Sequence, residues 1–156
     1  MPFQWNTAAG GLTIAGISLT TTWCRVENLI DLWLPADQRG QDRVIPGSAG
    51  VLAQQRRDTV TRRSLRLTIA GDVTHTGATT GDAFERLQIN IDYLRANIVA
   101  PTGTTNGTRS AVLTMPDATT RTEDVHVTGF ELSGYAEDAR WARGVLELSI
   151  PSGRIQ

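Results

Sequence analysis

From Arg62 to Val99 the hydrophobic period of the chain switches once, from two residues to between three and four, and this switch most narrows the possible folds. Within Ser64 to Val73, Leu65, Leu67, Ile69 and Val73 fall on one side and Ser64, Arg66, Thr68 and Asp72 on the other. That alternation is the mark of a half-buried strand. After a polar loop, Phe84, Leu87, Ile91, Leu94 and Ile98 recur at steps of three and four, which puts them on one side of a helix. Asp82 is a good N-cap and Glu85 completes a capping box, satisfying N–H groups that the first turn leaves without partners. Pro101 marks the stop, because it keeps Ala100 out of helical geometry. Such a helix spans roughly 27 Å at about 1.5 Å per residue. It can cover one face of a small sheet, and the rest of the chain is expected to supply that sheet.

Taken in order, residues 1–11 carry Phe3 and Trp5 and then a glycine pair, and are expected to form an arm. Leu12 to Leu19 reads as a strand bent at Gly16. Thr20 to Ile30 reads as a second strand, with Cys24 and Val26 opposite Trp23 and Arg25. Asp31 to Gly50 is broken by proline and glycine and is expected to loop, with a short strand or hairpin arm from Val51 to Asp58. Beyond the helix, residues 102–108 form a turn cluster, Ser110 to Met115 a strand, and Pro116-Asp117 a turn into a long strand from Arg121 to Tyr135. Inward parity changes at Gly129, which predicts a bulge there. Trp141 to Ile150 is the last strand, with Leu146, Leu148 and Ile150 inward. Strand groups on either side of one helix, joined by hairpin-length connections, predict a mainly β, α+β fold. Its form is an antiparallel β-sandwich or split barrel with one packed helix, in a single domain over residues 1–156.

At 156 residues the chain can bury a core without disulfides or metals, and the lone Cys24 can form no intramolecular bridge. Net charge is −1, which gives no general reason to expect a nucleic-acid binder. Every positive side chain is arginine, so ion pairs can be bidentate and rigid. Neither a signal peptide nor a membrane span is visible, and synthesis in the cytosol is expected.

No catalytic constellation emerges. His75 lies in a Thr/Gly loop and His126 in a strand, without the spacing of a metal site. Ser48, in Gly47-Ser48-Ala49-Gly50, is one residue short of a nucleophile elbow. Glu123 and Asp124 are adjacent, so on a strand their carboxylates point to opposite faces and cannot act as an acid/base pair. Residues 77–82 lack the lysine of a phosphate loop, and Asn106-Gly107-Thr108 is an idle glycosylation match. No cofactor or metal is expected. An enzyme would have His126 as its only seed.

Two interaction signals remain. The first is the run from Gln54 to Arg66, which includes Arg57, Arg62 and Arg66. It is a subunit contact, the solvated face of a hairpin, or a nucleic-acid contact, although no aromatic residues interleave it for base stacking. The second is a small apolar patch of Ile89, Tyr93 and Ala96 on the helix side opposite the core, where a lone helix on one sheet should be polar. Exposed sheet edges add a reason to assemble, since ring closure by identical copies covers them.

Val44-Ile45-Pro46-Gly47-Ser48-Ala49-Gly50 follows an N-terminal strand pair. An arginine-bearing hairpin and a strand of the form R-x-L-x-L-x-G-x-V come next, here Arg63 to Val73 with one extra residue before Gly71. An acidic-capped helix spaced Phe84, Leu87, Asn90, Leu94 and a terminal run of strands complete the pattern. From about Thr20 to Ile150 the chain resembles the small tail proteins of long-tailed bacteriophages, in particular the distal tail protein family and its tail-tube relatives. The resemblance implies a tube-type β-sandwich flanked by a helix, assembled as a hexameric ring around a channel for DNA. That ring would join the tail tube to the tail tip and adsorption apparatus of the virion, after assembly in the host cytoplasm. Near-neutral charge suits a channel that DNA slides through, because a basic lining would hold phosphates. On this reading the candidate interface residues are Val44, Ile45, Pro46, Gly47, Arg57, Arg62, Arg66, Ile89 and Tyr93. The resemblance leaves open a tail-tube subunit or another minor tail protein.

Overall fold

The computed structural model of the chain describes residues 11–33, 38–39, 43–44, 51–52, 57–58, 61–99, 108–115, 117–135 and 140–151. The first strands are β1 (Gly11–Ile14), β2 (Ile17–Ser18) and β3 (Cys24–Val26). Four short ones follow, β4 (Gln38–Arg39), β5 (Arg43–Val44), β6 (Val51–Leu52) and β7 (Arg57–Asp58). The long strands are β8 (Thr61–Ala70), β9 (Thr108–Thr114), β10 (Thr120–Tyr135) and β11 (Trp141–Ile150), with helix α1 (Ala83–Leu94) between β8 and β9. Seven of these strands join into one half-barrel sheet in the order β2-β1-β9-β10-β11-β8-β3. Every pairing in it is antiparallel. This is the mainly β fold with one packed helix that the period switch predicts.

One face of the sheet is the core. Leu65, Leu67 and Ile69 of β8, Leu146, Leu148 and Ile150 of β11, Val125 of β10 and Ala111 and Leu113 of β9 are fully buried. Leu87, Ile91 and Leu94 of α1 are buried as well, as is Ile98 in the π-helical extension Arg95–Val99. The capping box forms as expected: Asp82 Oδ1 accepts from the Glu85 N–H at 2.8 Å, and Glu85 Oε2 accepts from the Asp82 N–H.

The long strand β10 keeps one face inward only because its register slips twice. One extra residue enters between Val127 and Gly129, the bulge predicted at Gly129, and another between Leu132 and Gly134. Val127, Phe130 and Leu132 therefore face Leu148, Leu146 and Gly144 in turn, all on one side of β11. The second slip carries no parity signal of its own in the sequence.

Several expectations need correction. The bend at Gly16 is a two-residue hairpin between β1 and β2, with Ala15 (φ 53°) and Gly16 (φ 79°) both left-handed as such tight turns require. The strand expected from Thr20 to Ile30 shrinks to β3 and is followed by a 3-10 turn, Leu29–Trp33. Asn28 explains the early end, because its side chain takes the next rung of the ladder. Its Nδ2 donates to Ser64 O (2.8 Å) and to Asp31 Oδ2 (2.7 Å), and its Oδ1 accepts from the Arg66 N–H (2.7 Å). Trp23, expected on the face opposite Cys24 and Val26, is buried as they are, since it lies before β3 and packs edge-on against Tyr93. Phe84 is 48% exposed, not core. Gly71 lets the first helical turn approach the end of β8 through the Ala83 backbone, and Phe84 is left pointing away.

The arm 1–10, the helix stop at Ala100 and Pro101, the turn cluster at 102–107 with Asn106, and Pro116 lie outside the described residues. So does most of the loop 34–60, including Ser48.

Candidate functional site

The expected interface residues fall in three places. Gln38 and Arg39 pair with Asp58 and Arg57 in one two-stranded sheet, and Arg43 and Val44 pair with Leu52 and Val51 in another, both falling between β3 and β8 in the chain. Val44 and Arg57 belong to these pairs, while Ile45, Pro46 and Gly47 lie outside the described residues. Arg62 and Arg66 are exposed on the face of β8 away from the helix. Ile89 and Tyr93 are on α1, across the sheet from those arginines. The structure brings Arg62 and Arg66 together on one face but does not join them to the helix residues.

Ile89 is 46% exposed. Tyr93 is half-buried against its own chain: its ring stacks on His75 with centroids 3.7 Å apart and planes 3° from parallel. Trp23 meets both rings edge-on, at 5.9 Å for Tyr93 and 6.4 Å for His75. This cluster ties β3, the loop after β8 and the helix together, and it accounts for one of the two larger apolar groups in the patch.

The outward face of β8 gathers more positive charge than the sequence run alone indicates. Arg25 of β3 and Arg143 of β11 both register with Thr68 of β8, and each side chain is exposed. Cross-strand neighbours therefore put Arg25, Arg66 and Arg143 on one patch although they are far apart in the chain. Trp141, 37% exposed, stands beside it with the Arg143 guanidinium 5.3 Å from its ring centroid. A depression of about 430 Å³ lies here, lined by Thr68, Ala70, Asp72, Arg140, Trp141 and Arg143.

At the sheet edge, β3 pairs only with Leu67–Ile69 of the ten-residue β8. The outermost strands are β2 and β3, of two and three residues, and short edge strands are a common way to discourage pairing.

His126 is on the outward face of β10, opposite Ser149. Glu123 and Asp124 pair with Ala111 and Ser110, on alternate faces. Among the described residues no group of three or more histidine, cysteine, aspartate or glutamate side chains could hold a metal ion. No helix among them is long and apolar enough to cross a membrane.

Cys24 is buried in the core, and burial pushes its thiol from the ordinary 9.0 up to about 12. A folded chain treated with a thiol reagent at pH 8 therefore stays unlabelled at Cys24, whereas the same chain in denaturant labels completely. Rapid native labelling followed by mass spectrometry would contradict the burial.

Sequence reasoning missed the polar side chains that fix the helix to the sheet and to the loop after β8. Asn90, fully buried in α1, accepts from the His75 N–H (2.7 Å) and donates to Ala70 O (2.8 Å) and Val73 O (2.9 Å). Arg86 donates from Nε to Gly71 O (2.7 Å) and from Nη1 to the carbonyls of Thr79 and Gly81. Arg109 of β9, also buried, donates to Ile98 O (3.2 Å) near the helix end. Asn90 sits at a core position of the helical period, and a polar residue there was the available signal.

No protein-family model matches the chain, and no curated protein does. Among solved structures the chain is similar to the crystal structure of SPP1 Dit (gp 19.1), described as a paradigm of the hub adsorption apparatus in phages that infect Gram-positive bacteria. The likeness has a TM-score of 0.57 at 14% identity and covers 92% of this chain but 50% of that one. The shared feature is the fold, and this chain spans about half the length of that protein.

Proposed function

We propose that this chain is a structural component of a bacteriophage tail, a ring-forming distal tail protein. It would join the tail tube to the tip and adsorption apparatus around a central channel for DNA. The observation that carries the proposal is the fold likeness to SPP1 Dit over nearly the whole chain. The likeness covers 50% of that protein, and the reading is drawn from that part alone.

The short strand pairs β4–β7 and β5–β6 support the reading, because they lie outside the seven-stranded sheet and are suited to contact with a neighbouring copy. Val44, Ile45, Pro46, Gly47 and Arg57 are that segment's proposed contacts, with Arg62, Arg66 and Ile89 on the body. Tyr93 contributes less, since its own chain half-buries it. A virion location and assembly in the host cytoplasm follow from the same reading, as does the absence of a reaction on the surface.

A tail-tube subunit shares the fold class and differs in stacking. Negative-stain images of purified protein separate the two: isolated rings belong to a distal protein, long tubes to a tube subunit. A nucleic-acid module using the arginine patch predicts strongly salt-dependent DNA binding. On our reading micromolar protein leaves a DNA fragment unshifted at low salt, and a strong shift there would favour the module.

A further inference from the structure

Two surfaces on opposite sides of the sheet carry opposite charge, and each has an exposed large apolar side chain. On α1 the solvent side presents Asp82, Glu85 and Asp92, against Arg95, whose guanidinium lies over the Phe130 ring. Asp92 lies one turn on from Ile89, which is 46% exposed, while Phe84, 48% exposed, is in the first turn of the helix, about 12 Å from Asp92 at about 1.5 Å per residue. The helix thus shows a carboxylate beside one apolar group, with a second apolar group at its start.

The other side of the molecule is the outward face of β3, β8 and β11. It carries Arg25, Arg62, Arg66, Arg140 and Arg143 against Glu27, Asp72 and Glu147. Glu27 is already engaged by the Thr68 hydroxyl at 2.7 Å. Further along the sheet, β10 presents Asp124 and Glu131 on the same face, so the positive charge is concentrated at the β3 end. The floor there is made of small side chains, Thr68 and Ala70, beside the exposed Trp141, and the depression of about 430 Å³ is open to an inserted side chain. A second depression shares Thr68, Ala70 and Asp72 and runs on to Arg25.

We infer that these two faces bind each other between copies. The helix face of one chain, with Phe84, Ile89 and Asp92, docks on the arginine face of the next, with an apolar side chain entering beside Trp141 and Asp92 meeting Arg66 and Arg143. The occupant is a second copy because the charge and the apolar groups of one face answer those of the other. Two different faces in contact make a head-to-tail interface, which propagates and closes into a ring when the rotation per copy allows. The inference rests on the ring reading and supplies its contact.

The test uses two full-length variants. In one, Gln88→Arg with Asp92→Arg makes the helix face positive; Glu85 is kept because it serves the cap. In the other, Arg66→Glu with Arg143→Glu makes the sheet face negative. Thermal melts first establish that both remain folded, as expected of changes outside the core. Each variant alone then needs more than about tenfold higher concentration to form rings, because like charges face each other at every contact. An equimolar mixture regains assembly as an alternating ring, since the positive helix meets the negative sheet and the two unaltered faces meet each other. If the wild type forms rings and either variant does so equally well, or the mixture stays apart, the contact is wrong while the ring stands. If the wild type itself never assembles, ring and contact both fall.

Discussion

Replacing Asn90 by alanine lowers the free energy of unfolding by about 3–4 kcal/mol, a large share of what a domain of this size has. The change leaves the His75 N–H and the carbonyls of Ala70 and Val73 without the partner that the fully buried Asn90 supplies. Denaturant titration measures it directly. Asn90→Leu is no remedy, because it fills the volume but satisfies none of the three groups. Asn90→Asp keeps the shape and the acceptor, yet at neutral pH it sets a carboxylate against two carbonyl oxygens and is at least as damaging. A loss below about 1 kcal/mol for Asn90→Ala would mean that the loop after β8 does not depend on this side chain.

The second large effect is at Gly71. A Cβ added there would overlap the Ala83 carbonyl oxygen and stand 3.1 Å from both Arg140 O and Leu87 Cβ. Two of those three atoms are backbone, so the helix start must move off the end of β8. Gly71→Ala should cost about 2–3 kcal/mol. Gly134→Ala is the matched control, because nothing lies within 4 Å of its added Cβ, and it should fall within about 0.5 kcal/mol of wild type. Equal stabilities for the two variants would contradict the close approach of strand and helix.

These two residues also show where the sequence was legible and where it was not. Period alone found β8, α1 and β11, because each has one buried face and many residues to express it. Asp82 and Glu85 marked the helix start since capping is local chemistry. Gly71 belongs to no period and Asn90 puts a polar group at a core position of the helical one: the importance of both comes from what the fold brings against them. Phe84 was misjudged for the same reason, its place in the helical repeat being core-like while the approach to Gly71 is made by the Ala83 backbone and Leu87 and leaves Phe84 exposed. Asn28 ends β3 by imitating a strand's hydrogen bonds with a side chain, and no pattern of apolar residues reports that.

The candidate interface was legible only in parts. Arg62 and Arg66 were visible as an outward pair, but their neighbours Arg25 and Arg143 join them through sheet register, which pairing along β8 decides. The helix patch was visible as apolar residues opposite the core stripe. Its division into an exposed Ile89 and a Tyr93 stacked on His75 depends on a loop that the helical period does not describe.

All of the functional reading depends on the chain assembling with itself through unlike faces. The most direct measurement is the native mass of the purified chain at high concentration, taken together with negative-stain class averages of the same sample. The account predicts a single closed species of six copies with a hole at its centre. A chain that stays monomeric throughout, or that pairs only into two-fold dimers, would contradict it.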